Sequence, residues 1–165
     1  MLSDRHLILR VAERSDVDTV YELIVALAEY ERLRHQVTGT RELLETALFG
    51  PRPHAEAVIA ELDSDPVGFA LYFHTFSTFV CRPGLWLEDL FVVPEHRRSG
   101  IGRMLLSHLA AVAVRRGCAR FEWSALDWNE DALRFYDALG AELLADWRTL
   151  RLEGDELRAL AVEAR

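Results

Sequence analysis

The residues best spaced for chemistry lie in the segment LEDLFVVPEHRRSGIG, residues 87–102, where two adjacent acids interrupt an apolar run and the pattern Arg97-x-x-Gly100-x-Gly102 follows. The apolar run over residues 85–93 is long enough for a buried strand, and Pro94 ends the ladder by removing a donor. Helical spacing begins at Ile101, so Gly100 and Gly102 open a helix. Without a Cβ on either glycine, backbone N–H groups can approach an anion closely, at the positive end of the helix dipole. Arg97, Arg98 and Arg103 add cationic donors around the turn. That chemistry suits a phosphate.

The acids Glu88 and Asp89 pose a separate question. Burying two neighbouring carboxylates without partners costs several kcal/mol, so a cation must answer them. A bound polyamine or a protein arginine can do so, and an ion-paired strand carboxylate is the expectation for Asp89. In a regular strand Glu88 shares a face with Leu90, two residues on.

The elements that must hold these residues can be read along the chain. Residues 6–11 suit a short strand, and Ser15 with Asp18 signals a helix carrying Val17, Val20, Tyr21, Ile24, Leu27 and Ala28 and ending near Glu31. After a polar loop over residues 32–39, a second helix starts at Thr40 and stops at Gly50-Pro51. Strands over residues 57–62 and 67–76 flank Asp63-Ser64-Asp65-Pro66, which has tight-turn chemistry. Residues 77–84 connect to the acid-bearing strand.

Helix 101–116 places Ile101, Leu105, Leu109 and Val112 on one face before a Gly117 cap. Alternation over residues 119–126 predicts a strand. Asn129 caps a further helix with Glu130 and Asp131 in its first turn, and Gly140 ends it. Residues 142–152 are expected to form a last strand and 155–164 a terminal helix. The sum is an α/β (α+β) protein, one domain over residues 1–165, with a mixed, mostly antiparallel central sheet flanked by helices.

Bulk properties narrow the partners. A chain of 165 residues, 50% apolar, is long enough to bury a sizeable core. Its net charge of -8 argues against nucleic acid and suits a cationic substrate. No run approaches the ~18 apolar residues of a membrane span, and the charged start MLSDRH does not read as a signal peptide, so a soluble cytoplasmic protein is expected. Cys81 and Cys118 match no redox spacing and the six His no metal-ligand spacing, which predicts two reduced thiols and no metal.

The glycine turn after a strand and proline resembles the acetyl-CoA pyrophosphate loop of the GNAT acetyltransferases. The resemblance covers nearly the whole chain, through LAEYERL, VGFALYF, LEDLFVVPEHRRSGIG, LDWNEDALRFYDALGA and DWR, and points to the spermidine/spermine (diamine) acetyltransferases and their thialysine-acetylating relatives. It implies acetyl-CoA as donor and a small amine as acceptor. The backbone of Leu90, Phe91 and Val92 would take the pantetheine arm, with the pyrophosphate at Arg97, Arg98, Ser99, Gly100, Ile101, Gly102 and Arg103. A second cofactor contact falls on Asn129, Glu130, Asp131 and Ala132. Tyr136 matches the family's general acid, while Tyr30, Glu31 and Glu88 match its amine-binding positions. Asp146, alone before Trp147, stands where the family has a longer acidic stretch. The resemblance also implies a homodimer.

Acetyl transfer needs a neutral amine, yet a primary alkylamine has a reference pKa of ~10.4, so a proton acceptor is required, and Glu88 is the candidate. Neither cysteine has a motif for a covalent step, so direct transfer is expected. The preferred acceptor is a polyamine or diamine. Thialysine-like amino acids, protein amines and antibiotic amines are alternatives, as is an acyl-CoA sensor without turnover.

Overall fold

The computed structural model describes residues 6–164. Met1 to Arg5 of the charged start lie outside the described residues. Those up to Ser124 form one compact unit and those from Ala125 onward a second.

In the first unit the strands are β1 (Leu7–Val11), β2 (Glu56–Leu62), β3 (Asp65–Ser77), β4 (Arg82–Val92) and β5 (Phe121–Trp123), side by side in that order. All neighbours are antiparallel except β4 and β5. Its helices are α1 (Val17–Tyr30), α2 (Arg41–Phe49) and α3 (Ile101–Arg115). Asp63 and Ser64 both have positive φ, 54° and 76°, the left-handed pair required by a two-residue hairpin. The connection between β3 and β4 is shorter than expected, because pairing continues to Ser77 and Arg82.

Alternation sorts the sheet into two faces. Ala57, Ile59, Phe69, Leu71 and Phe91 pack with Val20, Leu23, Leu27 and Leu48 of α1 and α2. The opposite face carries Val58, Ala70 and Tyr72, and α3 packs there against β2, β3 and β4. Arg116, just past α3, donates to both carboxylate oxygens of Glu56, at 2.5 and 2.8 Å, and ties the helix end to β2. Ile101, Leu105, Leu109 and Val112, the predicted face of α3, are all buried.

Caps largely follow the sequence. The Thr40 side chain accepts from the Leu43 N–H, and Gly117 terminates α3 with φ 68°. Ser15 is not the cap of α1. Glu13 and Asp16 form a reciprocal capping box around a short 3-10 turn instead, with Asp16 also gripped by Arg10.

The second unit holds α4 (Glu130–Asp137) and α5 (Gly154–Val162). The predicted strand over residues 142–152 does not form, and no residue from Ala125 to Ala164 is buried. Strand-like composition there finds no ladder, and a strand is stable only with a partner.

Candidate active site

The site begins with an extra residue. Leu71 of β3 pairs with Asp89 whereas Tyr72 pairs with Leu87, so Glu88 is a β-bulge in β4. Backbone parity shows the same thing. Leu85 donates its N–H to Arg120 O on the β5 side at 3.0 Å, and unbroken alternation would send Val93 the same way. Val93 donates instead to Val67 O, on the β3 side, at 3.0 Å.

Two consequences follow from the bulge. Asp89 turns onto the face shared with Leu71, Phe91 and α1, away from Leu87. The expected sharing of a face by Glu88 and Leu90 is also broken: Leu90 pairs with Ala70 on the α3 face, while Glu88 Oε2 accepts from the indole N–H of Trp86 at 2.9 Å. Trp86 pairs with Phe73, so it lies on the α1 face.

The bulge also frees an edge. β5 pairs with β4 only from Leu85↔Phe121 to Leu87↔Trp123, and β4 runs on to Val92. Parity aims the backbone groups of Leu90 and Val92 at that open edge, whereas Phe91 points its backbone toward β3 and its side chain into the core.

Next comes the glycine turn. Gly100 caps α3 with φ 91°, and Arg98 is also left-handed, φ 59°. A Cβ at Gly100 would meet nothing within 4 Å, so this glycine is required by its backbone angle rather than by crowding. The first-turn N–H groups of Ile101, Gly102 and Arg103 have no acceptor within a helix. No acid sits in that turn to oppose the dipole. Ser99 Oγ donates to His96 O at 2.5 Å and braces the loop from behind. An anion bearing an extended amide arm fits these features, with its phosphate at the turn and its arm along the edge at Leu90.

Arg97 departs from expectation. Its Nε donates to Val92 O at 3.0 Å, and its Cζ lies 4.0 Å from the Tyr30 ring centroid and 5.5 Å from that of Phe91. The guanidinium therefore serves the strand end and two rings.

Asp89 corrects the sequence reading most clearly. No described cation forms an ion pair with it. Burial, then the neighbouring charges of Glu88 and Glu31, push its carboxyl up to about 7. Burial also raises Glu31, the residue that follows α1. The signal in the sequence is the acid pair inside an apolar strand, which calls for a cation; of the two candidates, a protein arginine paired with Asp89 is absent among the described residues. Among the described residues no group of three or more His, Cys, Asp or Glu side chains is disposed to hold a metal.

Within the second unit, the Asn129 side chain accepts from the Ala132 N–H at 3.3 Å. Glu130 and Asp131 both pair with Arg134, at 3.1 and 2.6 Å. Tyr136 lies seven residues after Asn129 and so on the same face of α4, beside Phe135 with ring centroids 5.4 Å apart. Asp146 is exposed, in the segment that forms no strand.

A bulged strand with one open edge, followed by a glycine-opened helix start whose first-turn N–H groups could hold an anion, is a site for an extended phosphorylated ligand. The chain belongs to the acetyltransferase (GNAT) family, whose model matches residues 19–141. It is therefore an N-acetyltransferase that uses acetyl-CoA as donor. It is 37% identical to a thialysine N-epsilon-acetyltransferase of Mus musculus over 93% of this chain and 96% of that protein. An L-ornithine N5-acetyltransferase of Arabidopsis thaliana is 29% identical over 92% of this chain and 86% of that protein. Among solved structures, an integron cassette protein from the mobile metagenome of V. cholerae superposes with a TM-score of 0.79 at 27% identity, covering 94% of this chain and 97% of that one.

Proposed function

We propose that the chain acetylates a terminal primary amine on a short cationic molecule, preferably a polyamine or diamine. The observation that carries this reading is Asp89, a half-buried carboxyl with two carboxylate neighbours and no described cation. A cationic amine supplies what the protein leaves out.

Bound acetyl-CoA supplies an activated acetyl thioester; the chain's own residues supply the rest. Arg98, Arg103 and the N–H groups from Ser99 to Arg103 hold the pyrophosphate, and the Leu90 and Val92 edge aligns the arm. Glu31 and Asp89 attract the ammonium. Glu88 and Asp89 take the proton that the amine must lose, directly or through water. Tyr136 acts as general acid toward the leaving thiolate, and Asn129 to Ala132 form a second cofactor contact. Tyr30 and Asp146 contact the amine. The whole chain works as one catalytic domain in the cytoplasm.

Thialysine-like amino acids are the second reading, favoured by the relatives whose names carry thialysine and ornithine. The structure bears on the choice: an α-carboxylate must be kept away from Glu31, Glu88 and Asp89. Relative kcat/KM for putrescine, spermidine and thialysine decides between them. Diamines should exceed thialysine by at least about tenfold, the worth of one unopposed charge near a partly buried acid. Equal efficiencies would discard the polyamine preference.

We also propose a homodimer, supported by the exposed Leu143, Leu144, Trp147, Leu150 and Leu152. Light scattering at micromolar concentration should give twice the chain mass, and a monomer mass would refute it.

A further inference from the structure

The arginine that opens the glycine turn faces away from the turn. Its own N–H donates to Pro94 O at 3.2 Å, and the chain reverses immediately afterward through the left-handed Arg98. This leaves the guanidinium over β4 and α1, bonded to Val92 O at 3.0 Å and stacked 4.0 Å from the Tyr30 ring centroid. Phe91 lies beneath at 5.5 Å. A planar cation with several fixed donors is suited to hold a carbonyl and a ring at once. A phosphate at the turn would have to draw it away from all three groups.

We propose that Arg97 is a positioning residue for the amine side of the reaction, closing the free edge of β4 at Val92 and propping Tyr30 beside Glu31, and is not a phosphate ligand. The assignment rests on the acetyltransferase reading above. Val92 O is taken by Arg97, which leaves the Leu90 backbone groups and the Val92 N–H of this edge for an extended amide arm. With one face of Tyr30 covered by the guanidinium, an ammonium cannot stack there. It is directed instead to the carboxylates of Glu31 and Asp89.

The test compares Arg97→Met, Arg97→Lys, Tyr30→Phe and Tyr30→Leu with Arg98→Ala. Coenzyme A binding is measured by calorimetry without amine, and amine kinetics separately with spermidine and thialysine. Arg97→Met should raise the amine KM about tenfold, through loss of the ring contact and one carbonyl bond. Its coenzyme A affinity and the salt dependence of that affinity should stay within twofold of the unaltered protein. Arg97→Lys should recover part of the loss, because a lysine keeps the charge over the ring but not the planar fork. Tyr30→Leu should reproduce the defect, Tyr30→Phe, which keeps the ring under the guanidinium, should raise the amine KM less than Tyr30→Leu, and the Arg97→Met/Tyr30→Leu double variant should be no worse than either single one.

Weakened coenzyme A binding in Arg97→Met equal to that of Arg98→Ala, with the amine KM unchanged, would overturn the proposal. Additive effects of the two single variants would do the same. If the unaltered protein turns over no amine, the acetyltransferase reading fails on its own. The Arg97–Tyr30 coupling is then read from thermal unfolding of the unaltered protein, Arg97→Met, Tyr30→Leu and their double variant, where additivity overturns it.

Discussion

The two compact units hold their chemical groups by different means. Up to Ser124, the candidate residues lie on or beside a sheet with helices packed on both faces. The bulge at Glu88 sits between a ladder to β3 and a core containing Phe69, Leu71 and Phe91. From Ala125 on, no described residue is buried, and α4 is held by its Asn129 cap and by exposed ion pairs at Arg134. Exposed pairs of that kind contribute little in water. The first unit is therefore built to tolerate an electrostatic cost, and Asp89 is that cost. The second carries Tyr136 and Asn129 on and beside α4 and offers no buried position for a charge among its described residues.

This contrast predicts where substitutions act. Glu88→Gln should give the largest effect, a fall in kcat of about 100-fold or more with coenzyme A affinity retained, as expected on losing a positioned base. Unchanged kcat would remove Glu88 from the proton path. Tyr136→Phe should lower kcat about 10-fold to 100-fold, within the range for a general acid that immediate reprotonation can partly replace. If its main effect is instead on amine KM, Tyr136 belongs with the binding groups and the contrast between units blurs. Arg98→Ala should weaken coenzyme A binding about tenfold, the worth of one charge-assisted hydrogen bond, and the difference should shrink at high salt.

Asp89→Asn sharpens the comparison through stability. The carboxyl's folded pKa is raised, from 3.8 to about 7, so the folded protein prefers the protonated form. Its favourable contribution is present below the unfolded pKa and is lost as pH rises through about 7. The whole effect is on the order of 4 kcal/mol for a shift of roughly three units. The unaltered protein should therefore lose Tm between pH 4 and pH 7 relative to Asp89→Asn, and the variant should melt several degrees higher at pH 8. Bound amine should reverse the preference, so binding should tighten as pH rises toward 7 and should release a proton. Parallel Tm profiles for the two proteins would show that Asp89 carries no such penalty.

Local chemistry made much of the fold legible. The cap at Thr40, the Asp63-Ser64 hairpin, the apolar face of α3 and the Asn129 cap each depend on a few neighbouring residues, and each was readable. What failed depended on partners distant in sequence. Residues 142–152 have strand composition but no ladder. The bulge at Glu88 is visible only in the pairing of Leu71 and Tyr72 across β3, and it reassigns the faces of Asp89 and Leu90 together. The motif marked Arg97 as a cation near a phosphate, but its direction is set by Val92 O and the Tyr30 ring, which no spacing rule encodes. Asp89 differs from the expected ion-paired carboxylate for the same reason: the folded chain brings Glu31 and Glu88 near it and no described cation.

The most direct test of the central claim is mass-confirmed acetyl transfer from acetyl-CoA to a panel of spermidine, spermine, putrescine, thialysine, lysine and a lysine peptide, repeated with Asp89→Asn. The account predicts singly acetylated small amines, with efficiency rising with their positive charge, and a flattening of that charge dependence in the variant. Equal efficiency for all amines in both proteins, or product from the peptide alone, would contradict it.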